Sequence, residues 1–329
     1  SRSEDLHFIL EDKRVFAVAG AHGKSTTSAM LASIINGSMI IGAYAKSFGS
    51  NERYVDNDIM VFEADESDAS FLNANAHYAI VTNAELEHME FYEYDEERFY
   101  DAYHTFLSRA KVRIINAEDP YLKSLDHIDA IRLYPSKDIT NIKYTLIDDE
   151  PFTEFTLKGM VIFKVWGFGK HIAVDASLAI LASLNEVGLH DIKEKLLGFR
   201  GIKKRFDIIY KGLHNVVIDD YGHHPTEIKA TMDSVVEYKR LKNFKTITAI
   251  WQPHKYSRTI NNLDAFKKCF EGVGKLIILP VWSAGEEFVD IDFFNEFKHY
   301  NLNLAISIKR NGEKVLAVEA KDKYYELEE

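Results

Sequence analysis

The chain has 329 residues, 46% hydrophobic and 28% charged, with glycine and proline sparse. That is the make-up of an ordinary soluble globular protein with enough chain for two cored domains. A net charge of −11 argues against broad non-specific binding to nucleic acid or acidic lipid, while leaving room for a local basic pocket. The one cysteine, Cys269, forms no internal disulfide and suits a reducing cytoplasm. No run approaches the roughly 18 apolar residues that a spanning helix needs.

The N-terminus opens without methionine, as a fragment would, and residues 1–12 read as a short helix leading into a strand. The defining stretch follows. Val15-Phe-Ala-Val-Ala reads as a buried strand, Gly20-Ala-His-Gly23 as a turn, and Lys24-Ser25-Thr26-Thr27 as the start of an apolar helix. Strand, glycine turn, Lys-Ser and helix together read as a phosphate-binding loop. The glycines admit backbone N–H groups close to a phosphate, and the helix adds its positive end. Lys24 would reach the β/γ oxygens and the Ser25 hydroxyl would ligate Mg²⁺. The spacing is the short Gly-x-x-Gly-Lys-Ser form, because Val18 stands where the longer form has glycine.

Residues 40–44 and 58–63 are further strand candidates. The second ends in Glu63-Ala-Asp65-Glu66-Ser67-Asp68, a carboxylate cluster at the strand end where α/β sheets bind ligands. Such a run also reads as a solvated loop. Strand 78–83 runs into Ala84-Glu-Leu-Glu-His88, so Glu63 and His88 are delivered toward the same sheet edge as the phosphate loop. Residues 93–108 form an amphipathic helix and 111–116 another strand. Strands alternating with helices imply a parallel, doubly wound sheet. Residues 130–170 lose helical period and read as a small antiparallel β insert. Helices are expected over 175–187 and from 192 to 197, ending near Gly198-Phe-Arg-Gly201. The alternation then restarts: strand 216–219, helix 226–238, strand 246–250, helix 261–271, strand 275–279. This predicts a second, Rossmann-like α/β unit, with the boundary at 203/204.

Five runs stand in order: Gly20 to Thr27, Glu63-Ala-Asp-Glu-Ser-Asp-Ala-Ser-Phe71, Val81-Thr-Asn-Ala-Glu-Leu-Glu-His88, Asp219-Asp-Tyr-Gly-His-His-Pro-Thr-Glu227 and Gln252-Pro-His-Lys-Tyr-Ser-Arg258. Together they resemble the Mur ligases, over nearly the whole chain. The family resemblance implies a central ATPase domain at 1–203 and a C-terminal domain at 204–329 that continues past Glu329. A UDP-binding domain would precede them. It implies ATP-dependent amide-bond formation through an acyl phosphate, in peptidoglycan synthesis. The Glu-Ala-Asp-Glu-Ser-Asp and Asp-Asp-Tyr-Gly-His-His-Pro runs point to the activity that joins L-alanine to UDP-N-acetylmuramate. Alternatives are the murein-recycling tripeptide ligase activity on the same sugar nucleotide, folylpolyglutamate synthesis, which the His-His-Pro and Gln-Pro-His runs oppose, and a nucleotide-binding module without catalysis.

The same resemblance assigns residues. Nucleotide binding falls to Gly20, Ala21, His22, Gly23, Lys24, Ser25 and Thr26, with His171, Asp175, Arg205 and Asp220. Metal binding falls to Ser25, Glu63 and His88, holding Mg²⁺ and, at the imidazole, alternatively Mn²⁺. His88 also reads as a capping or core-edge histidine, and Arg205 as part of a basic linker. Catalysis involves Lys24, Glu63, His88, Arg205 and His223. Tyr221, His223, His254, Lys255 and Arg258 would bind the substrate carboxylates and the incoming amino acid. Two positions depart from the family pattern. His171-Ile172-Ala-Val-Asp175 replaces His-Asn-x-x-Asn, so Asp175 can accept from an adenine amino group but Ile172 cannot hydrogen-bond. Lys255 replaces an arginine, which keeps the charge and loses the fork. The chain is expected to be a cytoplasmic monomer or weak dimer that binds small molecules, neither nucleic acid nor membrane.

Overall fold

The computed structural model describes residues 8–87, 89–305, 307–311, 314–320 and 323–326. The chain forms two compact units, residues 1–203 and 204–329.

The first unit is built on a seven-stranded sheet. Its strands are β1 (Arg14–Ala19), β2 (Ser38–Ala45), β3 (Ser50–Arg53), β4 (Ile59–Glu63), β5 (Ala76–Val81), β6 (Val112–Asn116) and β7 (Ile131–Leu133), in the order β3-β2-β4-β1-β5-β6-β7. All neighbours run parallel except the edge pair β2–β3. The sheet is thus mostly parallel. β1 lies at its centre and is almost wholly buried, which explains its unbroken Val-Phe-Ala-Val-Ala run. Val15, Ala17 and Ala19 join one core with Phe99, Tyr103 and Phe106 of helix α2 (Glu96–Arg109). Phe16 and Val18 point to the opposite face by strand alternation. Helices α1 (Lys24–Ile34) and α3 (Lys170–Ser183) pack on each other, and α1 also packs on β1.

Strands β8 (Ile139–Ile147), β9 (Glu150–Leu157) and β10 (Ile162–Trp166) form the separate antiparallel sheet. The insert is shorter than the composition suggests: β7, inside the 130–170 stretch, pairs parallel with β6 as the edge of the main sheet. Helix α4 (Leu189–Leu197) precedes the end of this unit.

In the second unit, β11 (Asp207–Lys211) and β12 (Val216–Asp219) form an antiparallel ribbon. The 216–219 strand therefore lies outside the parallel sheet that the alternation predicts. That sheet contains β13 (Thr248–Trp251), β14 (Lys275–Ile278) and β15 (Leu302–Leu304), all parallel. Helix α5 (Pro225–Lys242) brings Ile228 and Met232 into a core with Trp251, Phe266, Phe270 and Phe297. The helix expected over 261–271 is broken at Asn262 into α6 (Tyr256–Asn261) and α7 (Leu263–Cys269). Strands β16 (Ser307–Asn311), β17 (Lys314–Ala320) and β18 (Lys323–Glu326) make a final antiparallel sheet. Among the described residues no helix is long and apolar enough to cross a membrane.

Candidate active site

In the first unit the site grows from the end of β1. Gly20 (φ 131°) and Gly23 (φ 82°) both occupy backbone conformations that favour glycine, and Gly23 caps the N-terminus of α1. Ala21 and His22 complete the turn, and Thr26 lies in the first turn of α1. The end of β5 staples the turn in place. The His22 amide donates to Asn83 Oδ1 at 3.1 Å, and Asn83 Nδ2 and the Thr82 hydroxyl donate to the His22 carbonyl. His22 Nε2 lies 3.3 Å from Glu85 and 3.6 Å from Glu87.

Lys24 folds back over the turn. Its ammonium donates to the Gly20 carbonyl at 2.7 Å and to Glu66 Oε1 at 2.8 Å. The Ser25 hydroxyl donates to Glu63 Oε1 at 2.8 Å, and the Gly42 amide donates to Glu63 Oε2 at 2.7 Å. Sheet order explains this convergence: β4 lies between β1 and β2, so the carboxylate at its end meets the loop on one side and the β2 backbone on the other. Two hard oxygens, the Ser25 hydroxyl and the Glu63 carboxylate, thus stand side by side, a donor pair that suits Mg²⁺. His88 lies outside the described residues.

Glu66, in the run at 63–68, has its side chain only 2% exposed. Burial pushes its carboxyl up, and the Lys24 ammonium opposes that shift. Asp175, on α3, is buried, and a Cβ on Gly23 would sit 2.6 Å from its Oδ1. Its carboxylate therefore borders the Gly20–Gly23 turn itself. His171, at the start of the same helix, is exposed.

The second unit gathers a cluster of its own. Helix α5 begins at Pro225, and Glu227 three residues after His224 completes a capping box. Glu227 Oε2 accepts from the His223 amide at 3.0 Å, and Oε1 accepts from Arg205 Nη1 at 2.8 Å. Sequence reading gave Glu227 no role, although a glutamate at the third helical position after His-Pro is a capping signal. The His223 ring contacts Tyr221 and His254, with centroids 5.3 and 6.0 Å away. Arg258 Nη1 lies 3.0 Å from His254 Nδ1. A guanidinium only donates, so Nδ1 accepts and the ring is neutral. Burial, and then the Arg258 charge, hold the His254 pKa below its ordinary value. Lys255 sits at φ 66° with its amide donating to the Trp282 carbonyl at 2.8 Å. Tyr221, His223, His254 and Arg258 thus form one aromatic and basic cluster, and Lys255 follows His254 in the chain.

Asp220 stands just past β12, with its oxygens engaged by protein groups. The amides of Phe206 (2.8 Å) and Gly222 (2.7 Å) and the Thr231 hydroxyl (2.9 Å) all donate to it. Burial nonetheless pushes its carboxyl up.

A mostly parallel sheet with a glycine turn, lysine, serine and a carboxylate gathered at one edge has the layout of the phosphate-loop α/β proteins. Residues 18–182 match the Mur ligase middle domain. The chain is 57% identical over 324 residues to UDP-N-acetylmuramate–L-alanine ligase of Campylobacter curvus, covering 98% of this chain and 74% of that protein. Among solved structures it resembles the UDP-N-acetylmuramate–alanine ligase of Thermotoga maritima, with a TM-score of 0.76 and 24% identity over 92% of this chain and 70% of that one. It also resembles the MurF ligase of the same organism solved in complex with ADP, with a TM-score of 0.64 and 14% identity over 92% and 74% of the two chains. The chain belongs to the Mur ligase family, whose members are ligases.

Proposed function

We propose that this chain supplies the ATP-binding and C-terminal domains of an enzyme that joins L-alanine to UDP-N-acetylmuramate in peptidoglycan synthesis. The observation that carries the reading is the 57% identity to the Campylobacter curvus ligase along almost the whole chain. The site in the first unit supplies the chemistry. Acyl transfer by this route puts ATP phosphates and a substrate carboxylate in one place, and their repulsion must be offset by cations.

The loop from Gly20 to Thr26 would cradle the phosphates, with its amides and the N-terminus of α1 as donors. Lys24 would reach the β/γ oxygens. Ser25 and Glu63 would hold Mg²⁺, which when bound neutralises phosphate charge and orients the γ-phosphoryl group. In the second unit Arg258 suits a carboxylate grip, since a guanidinium can donate twice in one plane. His254 contacts that guanidinium, His223 and Tyr221 extend the cluster from it, and Lys255 would add a second cation. The substrate carboxylate would take the γ-phosphoryl group from ATP, releasing ADP. The amine of L-alanine would then attack the acyl phosphate and expel phosphate. The chain would act in the cytoplasm, where ATP and the sugar nucleotide are available, as a monomer or weak dimer.

Mass spectrometry of the product from the complete protein, given ATP, Mg²⁺, UDP-N-acetylmuramate and either L-alanine or a tripeptide, tests this reading. The L-alanyl product is expected. Product only from the tripeptide would assign the chain to murein recycling instead.

A further inference from the structure

Glu66 is a buried carboxylate that the proposed chemistry leaves unused. Its carbonyl accepts twice, from the buried Tyr92 hydroxyl and from the Ala69 amide at 3.2 Å, and two residues earlier the Ala64 amide donates to the Val18 carbonyl of β1 at 2.9 Å. The side chain is therefore aimed at the phosphate loop by fixed elements. One oxygen accepts from Lys24 at 2.8 Å. The other, Oε2, is buried without a hydrogen-bond partner among the described residues.

This geometry decides what Lys24 can do when a phosphate arrives. An ammonium has three N–H donors. Two are committed, to Gly20 and Glu66, and the third remains. Departure from Glu66 would strand a carboxylate that is 2% exposed and already lacks a partner for one oxygen. Breaking a buried pair in this way is strongly unfavourable. Staying costs nothing of that kind and still leaves one donor for a phosphate oxygen.

Resting on the nucleotide reading above, we propose that Glu66 is the positioning residue of Lys24. It holds the ammonium at the mouth of the loop in both the empty and the nucleotide-bound states, and Lys24 grips phosphate without leaving it. Glu66 touches no phosphate itself and acts through the lysine.

A double-mutant cycle on the complete protein tests this, with ATP affinity in the presence of Mg²⁺ read by calorimetry. The variants are Glu66→Gln, Lys24→Met and the two combined, each checked by thermal unfolding. Glu66→Gln should weaken ATP binding roughly tenfold in the Lys24 background, the size of losing one charge-assisted contact. In the Lys24→Met background the same change should alter affinity by less than about twofold, because the group it acts through is gone. Should Glu66→Gln fail to fold, Glu66→Asp, which keeps the charge and shortens the reach, is read in the same cycle with the same expectation. An equal loss in both backgrounds would make Glu66 a purely structural residue and overturn the proposal. Unchanged affinity, or tighter binding in Glu66→Gln, would overturn it too, the latter because Glu66 would then compete with phosphate for the lysine. Wild-type protein that binds no ATP would overturn the nucleotide reading and this inference with it, whereas ATP binding without coupling overturns this inference alone.

Discussion

The Gly42 amide donates to Glu63 Oε2 at 2.7 Å, and a Cβ on Gly42 would lie 2.9 Å from Glu63 Oε1. The β2 backbone approaches the carboxylate so closely that any side chain at 42 must displace it. Gly42→Ala should therefore disturb the proposed Ser25–Glu63 metal pair while leaving the strand intact. Outer-shell partners of metal ligands typically contribute about 10–100-fold to metal affinity. We expect the Mg²⁺ concentration for half-maximal activity to rise about tenfold, with little change in the unfolding midpoint. An unchanged Mg²⁺ requirement would show that Gly42 does not orient Glu63.

Gly20 meets a harder obstacle. A Cβ there would fall 2.2 Å from Thr82 Oγ1 and 2.7 Å from the Asn83 carbonyl, at φ 131°. The second atom is backbone and cannot rotate away. Gly20→Ala should lose about 2 kcal/mol or more of stability through strain and overlap together. Denaturant unfolding measures this directly. A loss below about 0.5 kcal/mol, the range of ordinary surface changes, would mean that the β5 end yields readily.

Lys24→Ala should abolish ATP hydrolysis, and it should also destabilise the protein. Its removal leaves the Glu66 carboxylate buried and unpaired, with an expected cost of roughly 1–3 kcal/mol near neutral pH. The sign with pH follows from the raised folded-state pKa of Glu66, which burial causes and which Lys24 opposes. Without the lysine it rises further. The folded state then binds the proton more tightly than the unfolded state, so stability falls as pH rises between the unfolded and folded pKa values. The variant should recover stability relative to wild type on acidification toward the ordinary glutamate range. A deficit independent of pH would contradict this.

His254 should titrate below its ordinary value of 6.5, since burial and the Arg258 charge both disfavour the imidazolium. Its folded pKa is depressed, so the unfolded state binds the proton more readily. The ring's effect on stability is thus least adverse above pH 6.5 and worsens as pH falls from there to the folded pKa. Arg258→Gln removes the second cause only. An NMR titration should show the His254 midpoint rising in that variant without fully reaching the ordinary value. A midpoint that stays put would mean that the Arg258 charge does not contribute to it.

The strand, glycine turn and helix are legible in the sequence because everything that makes them is local: apolar run, Gly20, Gly23, Lys24, Ser25 and an apolar helix follow one another directly. The alternation of strands and helices likewise marks a mostly parallel sheet. Pairings across the sheet are not legible. Gly42 and Glu66 reach the site only because β4 lies between β1 and β2, and no spacing in the chain states that order. Glu66 is one acidic residue in a run of several, and only burial separates it from its exposed neighbours Asp65 and Asp68. Residues 216–219 have the apolar character of a core strand yet pair antiparallel with 207–211, because the partner is chosen by the turn between them. Residues 131–133 are hidden by the β-rich stretch that follows, though they extend the main sheet.

The central claim is that Ser25 and Glu63 hold a metal that helps bind ATP beside Lys24. The direct measurement is ATP affinity of the complete protein with and without Mg²⁺, for wild type and Glu63→Gln, by calorimetry. We expect Mg²⁺ to tighten ATP binding in wild type by an order of magnitude or more, and by less than about twofold in the variant, whose amide is a poor ligand for a hard cation. Equal tightening in both proteins would place the metal elsewhere and contradict the account.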